Sequence, residues 1–333
     1  MRISEPPHYL YKRRHPARDP HSRMPTTPAP QTVSQLEQTL RARRFAITSE
    51  LNPPVSFDPD DLLRKALPLK DLADAVNVTD GASARVHMSA LAAASLIARA
   101  GIEPILQLAC RDRNRIALEA DLMGAAALGV HNLLLLTGDD PTAGDQPDAK
   151  AVFDIDSTAL TTMARVMREK GELPTGKAIA GKARFFLGAA DLPVDPQPGW
   201  QPLKLAAKAS AGAQFVQTQF CMDAGVAARY AQRLAEHADT RALHLLIGIA
   251  PLRSAKSARW MKEHLFGTII PDGLIERLER AADPATEGAR ICVELIEALA
   301  ASPGIAGVHV MAPANEAAVP DVIAQARERL PKR

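Results

Sequence analysis

Eight short apolar runs recur along this chain, at residues 45–51, 75–79, 104–110, 130–137, 184–190, 214–220, 243–250 and 305–311. The stretches between them are rich in Ala, Leu and Arg at helical spacing. This alternation is the strongest constraint on the fold. Strands separated by helices pair in parallel, and eight such units can close into a barrel. The expected class is α/β, a single-domain (β/α)8 or TIM barrel, and 333 residues leave room for an extension. The active site of such a barrel forms at the carboxyl ends of its strands. The polar residues that close the runs are therefore the first candidates: Glu50, Thr79, Gln107 with Cys110, Asp139, Asp191, Gln219, Ser254 and His309.

Residues 1–32 differ from the rest. They are rich in Pro and Arg and have no apolar period, so they read as a flexible basic extension, with Met24 as an alternative start. Residues 33–333 read as the barrel domain. Helices are expected over 34–44, from the Asp58 cap through Ala66, over 87–100 before Gly101, over 113–128 before Gly129, and over 286–301. Two long loops, 138–154 and 191–201, follow runs four and five. Loops of that length at the carboxyl face are usually functional.

Composition narrows the function. A net charge of +2, with its cations scattered along helices, does not suit nucleic acid as the main partner. No apolar run approaches the roughly 20 residues that span a bilayer. Cys110, Cys221 and Cys292 lie far apart and form no CxxC pair, which excludes a zinc knuckle or disulfide framework and fits a reducing cytoplasm. There is no Walker loop, no GxGxxG after a strand, no GxSxG elbow and no HExxH, and no cluster with metal spacing.

Several residues have two readings. Glu50 is either a general acid at the barrel rim or a carboxylate that caps the turn at Asn52, Pro53 and Pro54. Gly138 lets the chain turn sharply, so that Asp139 faces the mouth while Asp140 serves the Asp-Pro turn. Thr218 and Gln219 either meet a heterocycle edge or hydrogen-bond inside the barrel. Lys208 reads from its spacing as a solvated helix lysine, and His309 as a satisfied rim histidine.

The ordered set of motifs resembles the methylenetetrahydrofolate reductase family of flavin-containing barrels. The matches are Glu50 with Pro53 and Pro54, then Asn77-Val78-Thr79-Asp80-Gly81, Pro104 through Gln107, Leu136-Thr137-Gly138-Asp139, Lys208 with Ala211-Gly212-Ala213, Thr218-Gln219, Gly248 to Pro251, and Gly307-Val308-His309. The resemblance implies that Glu50 is the acid that opens the five-membered ring of methylenetetrahydrofolate. It also implies that Glu50, Asp139 and Gln219 bind tetrahydrofolate derivatives, and that the product is methyltetrahydrofolate, or the reverse. It implies an FAD site in which Thr79, Gln107, Thr137 and Gly138 take part, with Asp139, Ala189, Asp191 and Lys208 completing it. A homo-oligomer is compatible with it. A folate-binding subunit that kept the barrel but lost the redox site is the alternative. The chain departs from the family pattern at Gln107, Thr137, Asp191 and 311–316. Asp191 and Glu316 stand where the family has residues that meet a dinucleotide. Because two carboxylates there repel a pyrophosphate, weak or absent NADH oxidation is expected.

Overall fold

The computed structural model describes residues 34–331. The expectations for 1–32 lie outside those residues. Each apolar run contains a strand: β1 Ala46–Leu51, β2 Ala75–Val78, β3 Pro104–Ala109, β4 Asn132–Leu136, β5 Phe186–Asp191, β6 Phe215–Phe220, β7 His244–Ile249 and β8 Ile305–Val310. They pair in parallel in sequence order, and β8 closes on β1 with Ala46 opposite Gly307 and Thr48 opposite His309. The result is the expected (β/α)8 barrel.

Parallel strands buried on both faces read as near-continuous apolar runs, which is why these stood out in the sequence. The helices are α1 Gln35–Arg41, α2 Pro59–Ala66, α3 Ala90–Arg99, α4 Arg115–Ala127, α5 Ser157–Lys170, α6 Leu203–Ala211, α7 Ala224–Glu236, α8 Ala255–His264, α9 Asp272–Arg280, α10 Pro284–Ala300 and α11 Val319–Arg329. Side-chain caps start most of them: Asp58, Asn114, Asp156, Asp223 and Asp283 each accept from a backbone N–H of the first turn. Three expectations change. The helix expected from 87 begins only at Ala90, because the backbone of Ser89, its N-cap, is not helical (ψ 129°). Ser254 does not close a strand at the rim but caps α8. The stretch between β7 and α10, where no helix is named from the sequence, holds two, α8 and α9. Among the described residues no helix is long and apolar enough to cross a membrane.

The barrel interior is layered. Leu36 and Leu40 of α1 plug its amino end against Ala46, Ala75, Ile105, Leu134, Phe186, Phe215 and Leu246. Burying each leucine contributes about 1.5–3 kcal/mol. The rings of Phe186 and Phe215 stack with centroids 5.0 Å apart. They fit only because Gly188 faces them: a β-carbon there would lie 2.2 Å from the Phe215 ring. Gly188→Ala is therefore expected to destabilise by about 1–3 kcal/mol through overpacking. Urea unfolding that matches the wild type would show that the ring layer can yield.

One level up, the interior turns polar. Thr48, Asn77, Gln107, Gln217 and His309 are all buried there. Above them lie the strand ends. The outer apolar core fills the space between strands and helices. The last helix is fastened to the amino ends of the first strands. Arg327 of α11 donates to Asp74 Oδ2 at 2.5 Å, and the same oxygen accepts from Ile47 N at 2.7 Å.

Candidate functional site

A cavity of about 820 Å³ opens at the carboxyl ends of the strands. Glu50, Thr79, Gln107, Thr137, Gly138, Asp139, Asp191, Lys208 and Gln219 line it, so the fold brings these sequence candidates together. Ala189 is the exception. It packs in the outer core with the helices, and its neighbour Ala190 lines the cavity instead. Successive strand residues face opposite sides, so a shift by one residue moves a side chain from the mouth to the helix layer.

Glu50, the penultimate residue of β1, has its side chain 24% exposed, and its Oε2 lies 3.7 Å from His309 Nε2. His309 is buried beneath it and its Nδ1 is 3.0 Å from Thr48 Oγ1. The reading of His309 as a plain rim residue thus needs correction: it lines the cavity and faces the acid. Gln217 also lines the cavity and was not singled out in the sequence. The signal was available, since Gln217 stands two residues before Gln219 on one face of a strand.

The other candidates divide between open and occupied groups. Thr79 donates to Asn52 Oδ1 at 2.9 Å and ties β2 to the turn after β1. Thr137 donates to Ser157 Oγ at 3.2 Å and anchors the start of α5. The Gln107 amide is buried at the cavity wall and makes no side-chain hydrogen bond to another described residue. Gly138 has φ +92°, and a β-carbon there would lie 2.9 Å from Arg111 Cβ. Its freedom therefore makes room for the buried Arg111, which donates to Gly81 O at 2.9 Å. Asp139 accepts from Ser83 N at 3.0 Å and joins the loops after β2 and β4. Asp140 serves its own turn, accepting from Thr142 N at 2.9 Å and from the Thr142 hydroxyl at 2.6 Å. Gln219 accepts from Phe220 N at 3.1 Å, and its Nε2 lies 3.4 Å from Phe266 O.

Lys208 is not a solvated helix lysine. Its Nζ donates to Ala190 O at 2.5 Å at the cavity wall, and burial pushes its ammonium below the ordinary lysine range, against the pull of Asp191. Asp191 accepts from the Tyr230 hydroxyl, and burial raises its carboxyl above the usual range despite that bond and Lys208. Glu316 begins a short turn, exposed and away from the cavity lining, so the pair of mouth carboxylates expected from the sequence reduces to Asp191.

The sign for Asp191 follows from linkage. A carboxyl that holds its proton more tightly in the folded state loses stability as pH rises through the carboxylate range. Asp191→Asn keeps an acceptor for Tyr230 and does not ionise. Its stability relative to wild type is expected to rise between about pH 4 and about pH 7. Urea melts at both ends check this, and a difference that shrinks with rising pH contradicts it.

The family model for methylenetetrahydrofolate reductase matches residues 35–327. A probable methylenetetrahydrofolate reductase (NADPH) of Caenorhabditis elegans is 25% identical over 247 residues, 72% of this chain and 34% of that one. Methylenetetrahydrofolate reductase 2 of Schizosaccharomyces pombe is 28% identical over 193 residues, 56% of this chain and 28% of that one. The chain thus covers about a third of the length of these curated relatives. An uncharacterized Clostridium thermocellum protein that binds two copies of 5-methyl-5,6,7,8-tetrahydrofolic acid shares the fold, with TM-score 0.62 and 13% identity over 88% of this chain and 98% of that one. An EDTA monooxygenase from Chelativorans sp. BNC1 shares it at TM-score 0.53 and 12% identity, over 87% and 96%.

Proposed function

The chain belongs to the methylenetetrahydrofolate reductase family, and from that premise we propose that its cavity interconverts 5,10-methylenetetrahydrofolate and 5-methyltetrahydrofolate. The observation that carries the reading is Glu50, a carboxyl at the cavity floor beside a buried imidazole. In the reducing direction the methylene–N10 bond breaks, Glu50 supplies the proton that N10 takes up, and a hydride adds to the methylene carbon. In reverse the carboxylate accepts that proton. Gln219 and Asp139 bind the pterin edge, where an amide and a carboxylate match its mixed donors and acceptors.

The flavin that the family implies, FAD, supplies the hydride when bound. The lining fits such a group. The cavity is large, the Gln107 amide is open to a ring edge, and Lys204 and Lys208 on α6 put positive charge at one wall. Gln107, Asp139 and Lys208 are the residues proposed to hold it. Thr79 and Thr137 shape the wall, because their hydroxyls already serve Asn52 and Ser157.

The test is turnover of flavin-loaded protein in both directions: methyltetrahydrofolate with an artificial quinone acceptor, and methylenetetrahydrofolate with NADH or NADPH. Conversion in either direction is expected. Bound folate with no conversion in either direction would leave a folate-binding module in place of an enzyme.

A further inference from the structure

The polar layer beneath the cavity decides where the proton of one histidine sits. Asn77 and Gln217 form a reciprocal amide pair: Asn77 Nδ2 donates to Gln217 Oε1 at 2.7 Å, and Gln217 Nε2 donates to Asn77 Oδ1 at 3.1 Å. The other hydrogen of Gln217 Nε2 points at Thr48 Oγ1, 3.0 Å away, and at His309 Nδ1, 3.3 Å away. A protonated Nδ1 would confront that N–H donor. An unprotonated Nδ1 instead accepts from Gln217, and beside it at 3.0 Å lies the Thr48 hydroxyl, whose hydrogen is directed at Val308 O at 3.2 Å. The neutral ring then carries its hydrogen on Nε2, which faces Glu50 Oε2 at 3.7 Å. A small rotation of Glu50 closes that gap to a hydrogen bond.

We propose that His309, held in its Nε2–H tautomer by the Gln217 amide, is a positioning residue that holds one oxygen of the Glu50 carboxyl and turns the other toward the substrate. This deepens the proposed function and rests on it for the substrate; the placement of the proton stands on the network alone. Gln217 and Thr48 then serve the reaction without touching the reacting atoms. A ring with no acceptor at Nδ1 would need its donor elsewhere, so the amide orientation of Gln217 sets the whole chain.

Two measurements test it. Long-range proton–nitrogen NMR on the wild-type, ligand-free protein reads the tautomer directly, and an Nε2–H pattern is expected. An Nδ1–H pattern overturns the proposal, since Nδ1 would then donate to Thr48 Oγ1 and leave Nε2 with no hydrogen for Glu50. The second is a comparison of His309→Leu and His309→Gln in the folate reaction. Misplacing a catalytic group by about 1 Å costs about 10²-fold. His309→Leu is expected to lose kcat on that scale while methyltetrahydrofolate Kd stays unchanged, and His309→Gln, which returns an N–H donor, is expected to recover most of the loss. Wild-type kcat in the leucine variant, or equal losses in both variants, overturns the positioning role. A wild-type protein that binds no folate sinks the functional reading instead, and the tautomer still decides the network.

Discussion

Glu50→Gln is expected to abolish turnover while leaving folate bound. The amide keeps the size and the hydrogen-bonding reach of the carboxyl, and the cavity around it is unchanged, so binding energy from the pterin edge persists. What it removes is the proton for N10. A positioned general acid contributes about 10²–10⁴-fold, and kcat is expected to fall within that range in both directions. Calorimetric titration with methyltetrahydrofolate should give a Kd close to wild type. Near-normal kcat would remove Glu50 from the chemistry and leave it as a cap for the turn at Asn52, Pro53 and Pro54.

Arg327→Leu is expected to have the largest effect on stability. The Asp74 side chain is fully buried, and the guanidinium of Arg327 donates to it across 253 positions of sequence. Breaking a buried pair by removing one partner typically costs about 3–5 kcal/mol, and here a fully buried carboxylate loses this guanidinium. The loss also frees α11 from the amino ends of β1 and β2. The urea midpoint should drop accordingly, and the double variant Asp74→Asn with Arg327→Leu should regain part of the loss. A single variant that melts with the wild type would falsify the view that this pair closes the barrel's lower rim.

How much of this was legible in the sequence follows from the range of each interaction. The strands were visible because both of their faces are apolar, which makes each run nearly uninterrupted. Helices α8 and α9 were not, because each is short and carries its apolar residues on a narrow stripe among Lys, Arg and Glu. Rim residues such as Glu50, Asp139 and Gln219 were legible from position alone, since each lies within two residues of the end of a run. Ala189 came from the family resemblance alone, and in the strand it is its neighbour Ala190 that faces the cavity. Gln217 and His309 were undervalued for a different reason. His309 looks like an isolated polar residue in its own strand and Gln217 like one more polar residue beside Thr218 and Gln219, while their partners lie 92 to 261 positions away. Nothing local distinguishes a costly buried amide from a satisfied one. Lys208 was read from its helix spacing, which gives the face but not how far the stem reaches toward Ala190.

The span of the polar layer also bears on when the protein becomes competent during synthesis. Thr48 and His309, which meet across the β1–β8 seam, are 261 positions apart. A ribosome adds about 5–20 residues per second, so about 10–50 s separate the appearance of the two. During that interval the nascent chain displays Glu50, Asn77 and finally Gln217 without the imidazole that joins them. Competence then arrives in one step with the eighth strand. A partly made chain holds apolar strands that can pair wrongly and no assembled pocket, so no ligand of that pocket can stabilise it before that moment.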